Sequence, residues 1–192
     1  MQSTSPHQLL TERLLLRRWR EDDLDPYFDM HADPEVARHL LPPPDRETAA
    51  AQIDMFEACF ETHGVGFWAL ERRDEPGFIG FTGLFVPQID AHFTPCVEVG
   101  WRLARPFWGR GYATEAARAA MADGFARRGL DEIVAMTSVM NARSQAVMQR
   151  LGMTRDPADD FAHPRVPDGD PLKPHVLYRI TASQFAAALK PA

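Results

Sequence analysis

The chain has 192 residues, 45% of them hydrophobic and 25% charged, which predicts one soluble globule of ordinary size with a real core. Its formal charge of −6 argues against a nucleic-acid binder that relies on a basic surface. No window approaches the ~20 apolar residues of a membrane span, the polar start over 1–8 reads as no signal segment, and Cys59 and Cys96 form no Cys-x-x-Cys pair, which fits a reducing cytoplasm and gives no zinc signature.

Residues 13–19 predict a strand whose apolar run is bounded by charge. Glu21, Asp22 and Asp23 supply an acidic first turn for a helix through about Met30, matching the helix dipole. Asp33 followed by Pro34 caps and opens a short helix over 35–39. The prolines at 42–44 must break it. Asp45 caps the next helix, in which Ala49, Ile53, Phe56 and Phe60 share one face, and Gly64 ends it. Residues 66–71 and 78–85 read as two strands joined by a polar turn, a hairpin. Over 96–103, Val97, Val99, Trp101 and Leu103 alternate with Glu98, Gly100 and Arg102, the pattern of a strand. A helix from 111 to about 128 carries Ala113, Ala116, Ala117, Ala120, Met121 and Phe125 on one stripe and stops at Gly129. A strand over 133–139 follows, then a helix capped by Asn141 and ended by Gly152, and a short strand from Met153. A last strand over 175–180 and a helix capped by Thr181, running through Leu189, close the chain. Residues 156–175 are rich in Asp and Pro and show no periodicity; a loop that long in a compact domain is usually functional or mobile. Strands and helices interleave without repeats or a linker, which predicts one α/β (α+β) domain over 9–190 with a mixed sheet.

The stretch over 98–115 carries the strongest signal. A strand runs into a basic, glycine-containing turn that opens a helix. Such a turn leaves backbone N–H groups unpaired at the positive end of the helix dipole, where an anion, most often a phosphate, is favoured. The nucleoside-triphosphate loop Gly-x-x-x-x-Gly-Lys-Ser/Thr is absent. A dinucleotide fingerprint fits Gly109 and Gly111, with Asp131 and Glu132 about twenty residues on, where an acidic ribose ligand belongs; its third position is Thr114. A tight turn that needs its glycines for backbone reasons alone stays open as well.

The run Trp108-Gly109-Arg110-Gly111-Tyr112-Ala113-Thr114-Glu115-Ala116, preceded by a strand and followed by Asn141-x-x-Ser144 and Leu151-Gly152-Met153, resembles the GNAT superfamily of acyl-CoA-dependent N-acyltransferases. The opening Thr11-Glu12-Arg13-Leu14-Leu15-Leu16-Arg17 and the segment Asp33-Pro34-Glu35-Val36 resemble its RimJ/RimL-like branch, which includes acetyltransferases of ribosomal-protein N-termini. The resemblance covers about residues 10–181. The usual signature has Gln or Arg where this chain has Trp108, a departure often met in that branch; Gly111 and Ala113 stay in register. The resemblance implies a mixed, mostly antiparallel central sheet with helices on both faces and splayed central strands. It also implies acetyl-CoA as cosubstrate, no metal, a cytoplasmic protein, and direct attack by a primary amine in a ternary complex. By the same resemblance, the backbone of Gly109, Arg110, Gly111, Tyr112, Ala113 and Thr114 would hold the pyrophosphate, with Arg110 adding charge. Trp101, Arg102 and Leu103 would pair with the amide-bearing pantetheine arm like an added strand, seating it against 137–139. Asn141 would contact the arm, cap its helix, or do both.

Acyl transfer to an amine needs a proton acceptor and an oxyanion donor, and the departing thiolate is helped by a proton. Glu98 is the candidate base, acting directly or through water; the plain alternative is a solvated residue on a strand's polar face. A bulge near Gly100 would expose the N–H of Val99 or Gly100 as oxyanion donor. The position where many members carry a tyrosine acid is Met148, which gives no proton, so Ser144 is the candidate acid; the alternative is a small residue that lets the cosubstrate approach. Tyr27, Phe28, Phe56, Trp68, Phe81 and Phe161 are candidates to line an acceptor pocket, although apolar stripes are more often core. His163 and His175 flank the long loop, and the seven histidines form no metal-binding pattern. The acceptor stays open among a peptide N-terminus, a polyamine, an amino acid and an aminoglycoside. A coenzyme-A-binding module without catalysis, a NAD-binding oxidoreductase and a homodimer also stay open at this point.

Overall fold

Short apolar runs bounded by turns, buried on both faces in the central strands, form the strands of one sheet. They are β1 (Gln8–Leu10), β2 (Leu14–Arg17), β3 (Phe67–Arg72), β4 (Phe78–Phe85), β5 (Glu98–Leu103), β6 (Glu132–Ser138), β7 (Thr154–Arg155), β8 (Phe161–Ala162) and β9 (Pro174–Thr181). The structure is a computed structural model and describes residues 8–40 and 45–188. The sheet order is β1-β2-β3-β4-β5-β6-β9-β7, with β8 beside β9. Among the described residues β5–β6 is the one parallel pair; the others are antiparallel.

The helices are α1 (Leu24–Ala32), α2 (Pro34–Ala37), α3 (Arg46–His63), α4 (Tyr112–Arg128), α5 (Ala142–Arg150) and α6 (Ala182–Ala188). Their starts follow from short polar side chains. Asp33 accepts from the Glu35 N–H at 2.9 Å, Asp45 from Thr48 at 2.7 Å and Asn141 from Ser144 at 3.2 Å, each satisfying a donor that the first turn leaves free. Gly64 and Gly129 end α3 and α4 with φ of 69° and 65°, a region costly for any residue with a Cβ. The expected helix at Glu21 begins as a 3-10 turn over Glu21–Asp23 before α1. β1 and β8 are short pieces that the sequence pattern did not mark. The expected break at 42–44 and the helix end at Leu189 lie outside the described residues.

α1 and α3 cover one face of the sheet and α4 the other. On the first face Tyr27, Phe56, Phe67 and Phe81 form a cluster of tilted and edge-on rings, the arrangement that ring quadrupoles favour. On the second, Leu14, Leu16, Leu70 and Leu103 pack against Ala116 and Ala120 of α4, where small residues let the helix lie close. β2 carries a buried arginine whose two terminal nitrogens meet carboxylates. The Arg17 guanidinium meets Asp23 at 2.6 and 2.7 Å and Glu71 at 2.7 Å.

Candidate active site

The site begins where the sheet comes apart. β4 and β5 pair through six positions, from Gly80↔Leu103 to Phe85↔Glu98. β5 and β6 meet at Glu98↔Val134, where the Val134 N–H donates to the Val97 carbonyl at 2.9 Å. Beyond that point the two strands diverge. Backbone groups of alternate residues face the same edge of a strand. The Val97 carbonyl faces β6, so Val99, Trp101 and Leu103 turn their backbone groups to that side; the Leu103 carbonyl is already taken, accepting from Trp108 Nε1 at 2.7 Å.

The expected bulge at Gly100 is not present. The β4–β5 register runs without a shift, and the irregularity in this hairpin lies between Leu70 and Glu71 of β3. Gly100 is required for packing instead, since a Cβ there would stand 2.8 Å from the Phe67 ring. Of the two expected oxyanion donors, the Gly100 N–H faces β4 and the Val99 N–H faces the gap.

The turn after β5 delivers the second part. Gly109 and Gly111 adopt φ of 73° and 82°. Gly111 caps α4 without a side chain, and the first intrahelical bond runs from the Glu115 N–H to the Gly111 carbonyl at 3.0 Å. The N–H groups of Tyr112, Ala113 and Thr114 therefore have no partner among the described residues, and they sit at the positive end of a 17-residue helix. Arg110 is exposed and does not line the cleft; its carbonyl accepts from Arg13 Nη1 at 3.0 Å. Glu115 holds this turn to the start of the chain. Its Oε1 accepts from Thr11 Oγ1 at 2.6 Å and from the Arg13 N–H at 2.9 Å, and its Oε2 accepts from Arg13 Nε at 2.7 Å. Two stretches quoted separately from the sequence, residues 11–17 and 108–116, thus meet around one carboxylate.

Gap and turn open into one cleft of about 1260 Å³. Glu98, Trp101–Leu103, Gly109, Gly111–Thr114, Asn141 and Ser144 all line it. Asn141 Nδ2 donates to Thr137 Oγ1 at 3.0 Å and to Ser144 Oγ at 3.1 Å. Ser144 Oγ is thereby an acceptor from one side, and its own hydrogen is left to point elsewhere. Met148, at the position of the missing tyrosine, is buried on the cleft wall.

Glu98 has no hydrogen bond and no ion pair among the described residues. Burial pushes its carboxyl up to about 7, against the opposing charge of Arg165 from the long loop. An uncompensated carboxyl out of water favours its neutral form.

Arg102 behaves unlike the other residues expected at the cosubstrate. Its backbone faces β4, and its side chain leaves the gap to reach His31 Nε2 and the Phe81 ring, 5.3 Å from the centroid. The reason is strand alternation, which sets Glu98, Gly100 and Arg102 on the α1–α3 face. Of the aromatic residues expected in an acceptor pocket, Tyr27, Phe56 and Phe81 line the cleft and Phe28 does not. Trp68 packs under the opposite face beside Phe60, and Phe161 packs on Phe93. The long loop contributes His163 and Arg165 to the wall. Sequence reading missed Arg165, and it missed Arg143, whose guanidinium lies 4.8 Å over the Trp108 ring at the same mouth; neither stands in a recognisable pattern.

The dinucleotide reading is overturned. Its ribose ligand would be Asp131 or Glu132, but these precede or open β6, at the closed end of the gap. Glu132 is bonded to Arg179 at 2.7 Å. Among the described residues no group of three or more His, Cys, Asp or Glu could hold a metal ion, and no helix is long and apolar enough to cross a membrane. Cys59 and Cys96 are free thiols.

A parallel strand–helix–strand unit whose strands fork, with free amides at the helix start and a lone carboxyl at the fork, defines a GNAT-type acyltransferase. Residues 13–154 match the family described as Acetyltransferase (GNAT) domain, and the chain belongs to that family. It is similar to the uncharacterised N-acetyltransferase YoaA of Bacillus subtilis, 28% identical over 150 residues, 77% of this chain and 83% of that one. It is similar also to the FsC-acetyl coenzyme A-N(2)-transacetylase of Aspergillus fumigatus, 30% identical over 168 residues, 83% of this chain and 69% of that one. Among solved structures an acetyltransferase of Agrobacterium tumefaciens superposes with a TM-score of 0.73 at 29% identity, covering 94% of this chain and 97% of that one. The chain is an acyl-CoA-dependent N-acetyltransferase, and the RimJ/RimL-like branch is compatible with these matches.

Proposed function

We propose that the domain over 9–190 moves the acetyl group of acetyl-CoA to a primary amine by direct attack in the cleft. The observation that carries this reading is Glu98, a half-buried carboxyl without a partner among the described residues at the point where the β5–β6 ladder stops. The site's donors suit coenzyme A. The N–H groups of Tyr112, Ala113 and Thr114 suit a pyrophosphate, with Arg143 adding charge at the mouth. The Val99, Trp101 and Leu103 edges suit the amides of an extended arm. When bound, acetyl-CoA supplies an already activated thioester.

The rest of the work falls to the chain. An aliphatic amine reaches the cleft protonated, with a pKa of about 8 to 10. Glu98, poised near neutrality, takes its proton in the ionised form. The Val99 N–H faces the position where carbonyl charge develops. The new C–N bond forms as the C–S bond breaks. Ser144, held on one side by Asn141, donates its hydrogen to the departing sulfur and regains one from solvent. The name of the Aspergillus relative, an N-transacetylase, supports an amine acceptor.

The test is release of free thiol and mass gain across a panel of amino acids, polyamines, aminoglycosides and N-terminal peptides. At least one amine should be acetylated with stoichiometric thiol release. Binding of acetyl-CoA without turnover of any amine, and indifference to Glu98→Gln, would replace this reading with a binding module.

A further inference from the structure

Two arginines of this sheet, the buried Arg17 and the half-buried Arg102 on the cleft wall, differ in the kind of surroundings they have. Arg17 is surrounded by carboxylates. Arg102 has no carboxylate partner among the described residues. Its Nη1 meets His31 Nε2, and its face lies on Phe81. His31 is neutral there. Burial, aided by the Arg102 charge, pushes it down to about 4. Its Nδ1 lies 2.8 Å from the Tyr27 carbonyl, so Nδ1 carries the hydrogen and Nε2 accepts from the guanidinium. Tyr27 is neutral as well, pushed up to about 12 by burial. Its hydroxyl donates to Gln52 Oε1 at 2.6 Å. That bond fixes the Gln52 amide with its NH₂ group unspent, on the wall of the same cleft. Among the described residues Arg102 thus meets a neutral imidazole and an aromatic ring but no anion, and a donor without a partner lies on the wall of the same cleft. Enclosing a guanidinium without a counter-ion is unfavourable, and burial lowers its pKa. The arrangement is complete once a ligand brings the missing negative charge.

We propose that Arg102 and the Gln52 amide form a carboxylate-binding subsite, so that the acceptor carries a carboxylate several bonds from its reacting amine. This rests on the acetyl-transfer reading. A carboxylate fits better than a phosphate because one planar fork and one neutral amide match two oxygens and a single charge. The separation follows from the strand. Glu98 and Arg102 share a face four residues apart, about 13 Å between Cα atoms, with the Phe67 ring packed under Gly100 between them. An α-amino acid is too short to touch both.

The experiment uses matched free-acid and amide pairs, ω-amino acids of increasing length and dipeptides, on the full chain. The wild type should favour the acids in kcat/KM by about 10- to 100-fold, the range of a charge-assisted hydrogen bond. Arg102→Met should bring the acid-to-amide ratio close to one, and Arg102→Lys should keep part of it. Circular dichroism and an acetyl-CoA-induced thermal shift establish that each variant is folded. In parallel, the N-acetylated acids and amides are compared as non-reacting probes by thermal shift. The acids alone should raise the wild-type Tm, and Arg102→Met should lose that rise. Equal treatment of acids and amides by the wild type in both assays overturns the subsite, as does an acid preference undiminished in Arg102→Met. Preference for an aminoalkyl phosphonate overturns the carboxylate assignment. Acid-selective stabilisation without turnover of any amine supports the subsite and sinks the catalytic reading.

Discussion

Two glutamates bound the stretch over 98–115, and the fold treats them in opposite ways. Glu115 is partly buried, and burial alone would raise its pKa. Hydrogen bonds from Thr11 and Arg13 overcome that and hold it below the usual carboxylate range. Glu98 is half-buried with no bond among the described residues, and desolvation raises it to about 7. The side chains are chemically the same, so the partners decide. A carboxylate given three donors becomes a fastening; one given none becomes a group that changes its proton near neutrality. The fastening ties the glycine turn before α4 to Thr11 and Arg13, while Glu98 stands where β5 and β6 part.

The largest expected effect breaks the Glu98 side. Glu98→Gln should lower kcat/KM by about 10²- to 10⁴-fold, the usual worth of a general base. The base works as a carboxylate, so wild-type kcat/KM should climb as pH rises through about 7, and that limb should vanish in the variant. Acetyl-CoA should still raise the Tm of the variant. A full-rate variant with an unchanged pH profile would remove Glu98 from the mechanism.

A smaller effect sharpens the contrast through stability. Glu115 has a depressed folded pKa. Its contribution is present above its unfolded pKa and lost as pH falls through the folded one. Glu115→Gln should therefore cost about 1–3 kcal/mol at pH 7 by urea unfolding, and less at pH 3. Glu98 has a raised folded pKa, so its ionised form opposes folding. The penalty is absent below the unfolded pKa and grows until pH passes about 7. Glu98→Gln should then raise Tm at pH 8 by roughly 2–4 °C, the shift that about 1 kcal/mol gives in a chain of this size, and leave it unchanged at pH 4. Matching pH trends for the two variants would undo the comparison. The smallest effect is expected at Ser144. A thiolate whose acid has a pKa of about 8.5 leaves with little help, so Ser144→Ala should slow kcat by about tenfold or less, read most clearly with the poorest amine.

Much of this was legible because it is local. Caps at Asp33, Asp45 and Asn141, glycine stops at Gly64 and Gly129, apolar runs in β3, β4 and β6, and alternation in β5 follow from neighbouring residues. The turn at 109–114 was readable for the same reason. What was not legible depends on what lies across from a residue. Glycine at position 100 suggested a bulge, but the Phe67 ring from another strand is its cause. Arg102 was grouped with the cosubstrate by its place in the stretch, and alternation sends its side chain to α1. Trp68 and Phe161 looked like Tyr27 and Phe81 in the sequence; the face of the sheet they occupy separates them. Glu115 read as one more residue of the motif until Thr11 and Arg13, about a hundred positions away, closed around it.

The parting of β5 from β6 leaves strand edges inside the sheet, and where those edges lie bears on contacts between chains. A strand edge with unpaired amides invites other chains to add to it and aggregate. This protein carries two such edges in the middle of its sheet, between strands that also pair on their other sides with β4 and β9. α4 packs over β5, α5 over β6, and the two helices touch. Covered in this way, an edge of the kind that invites added strands lies inside the fold and not along its rim.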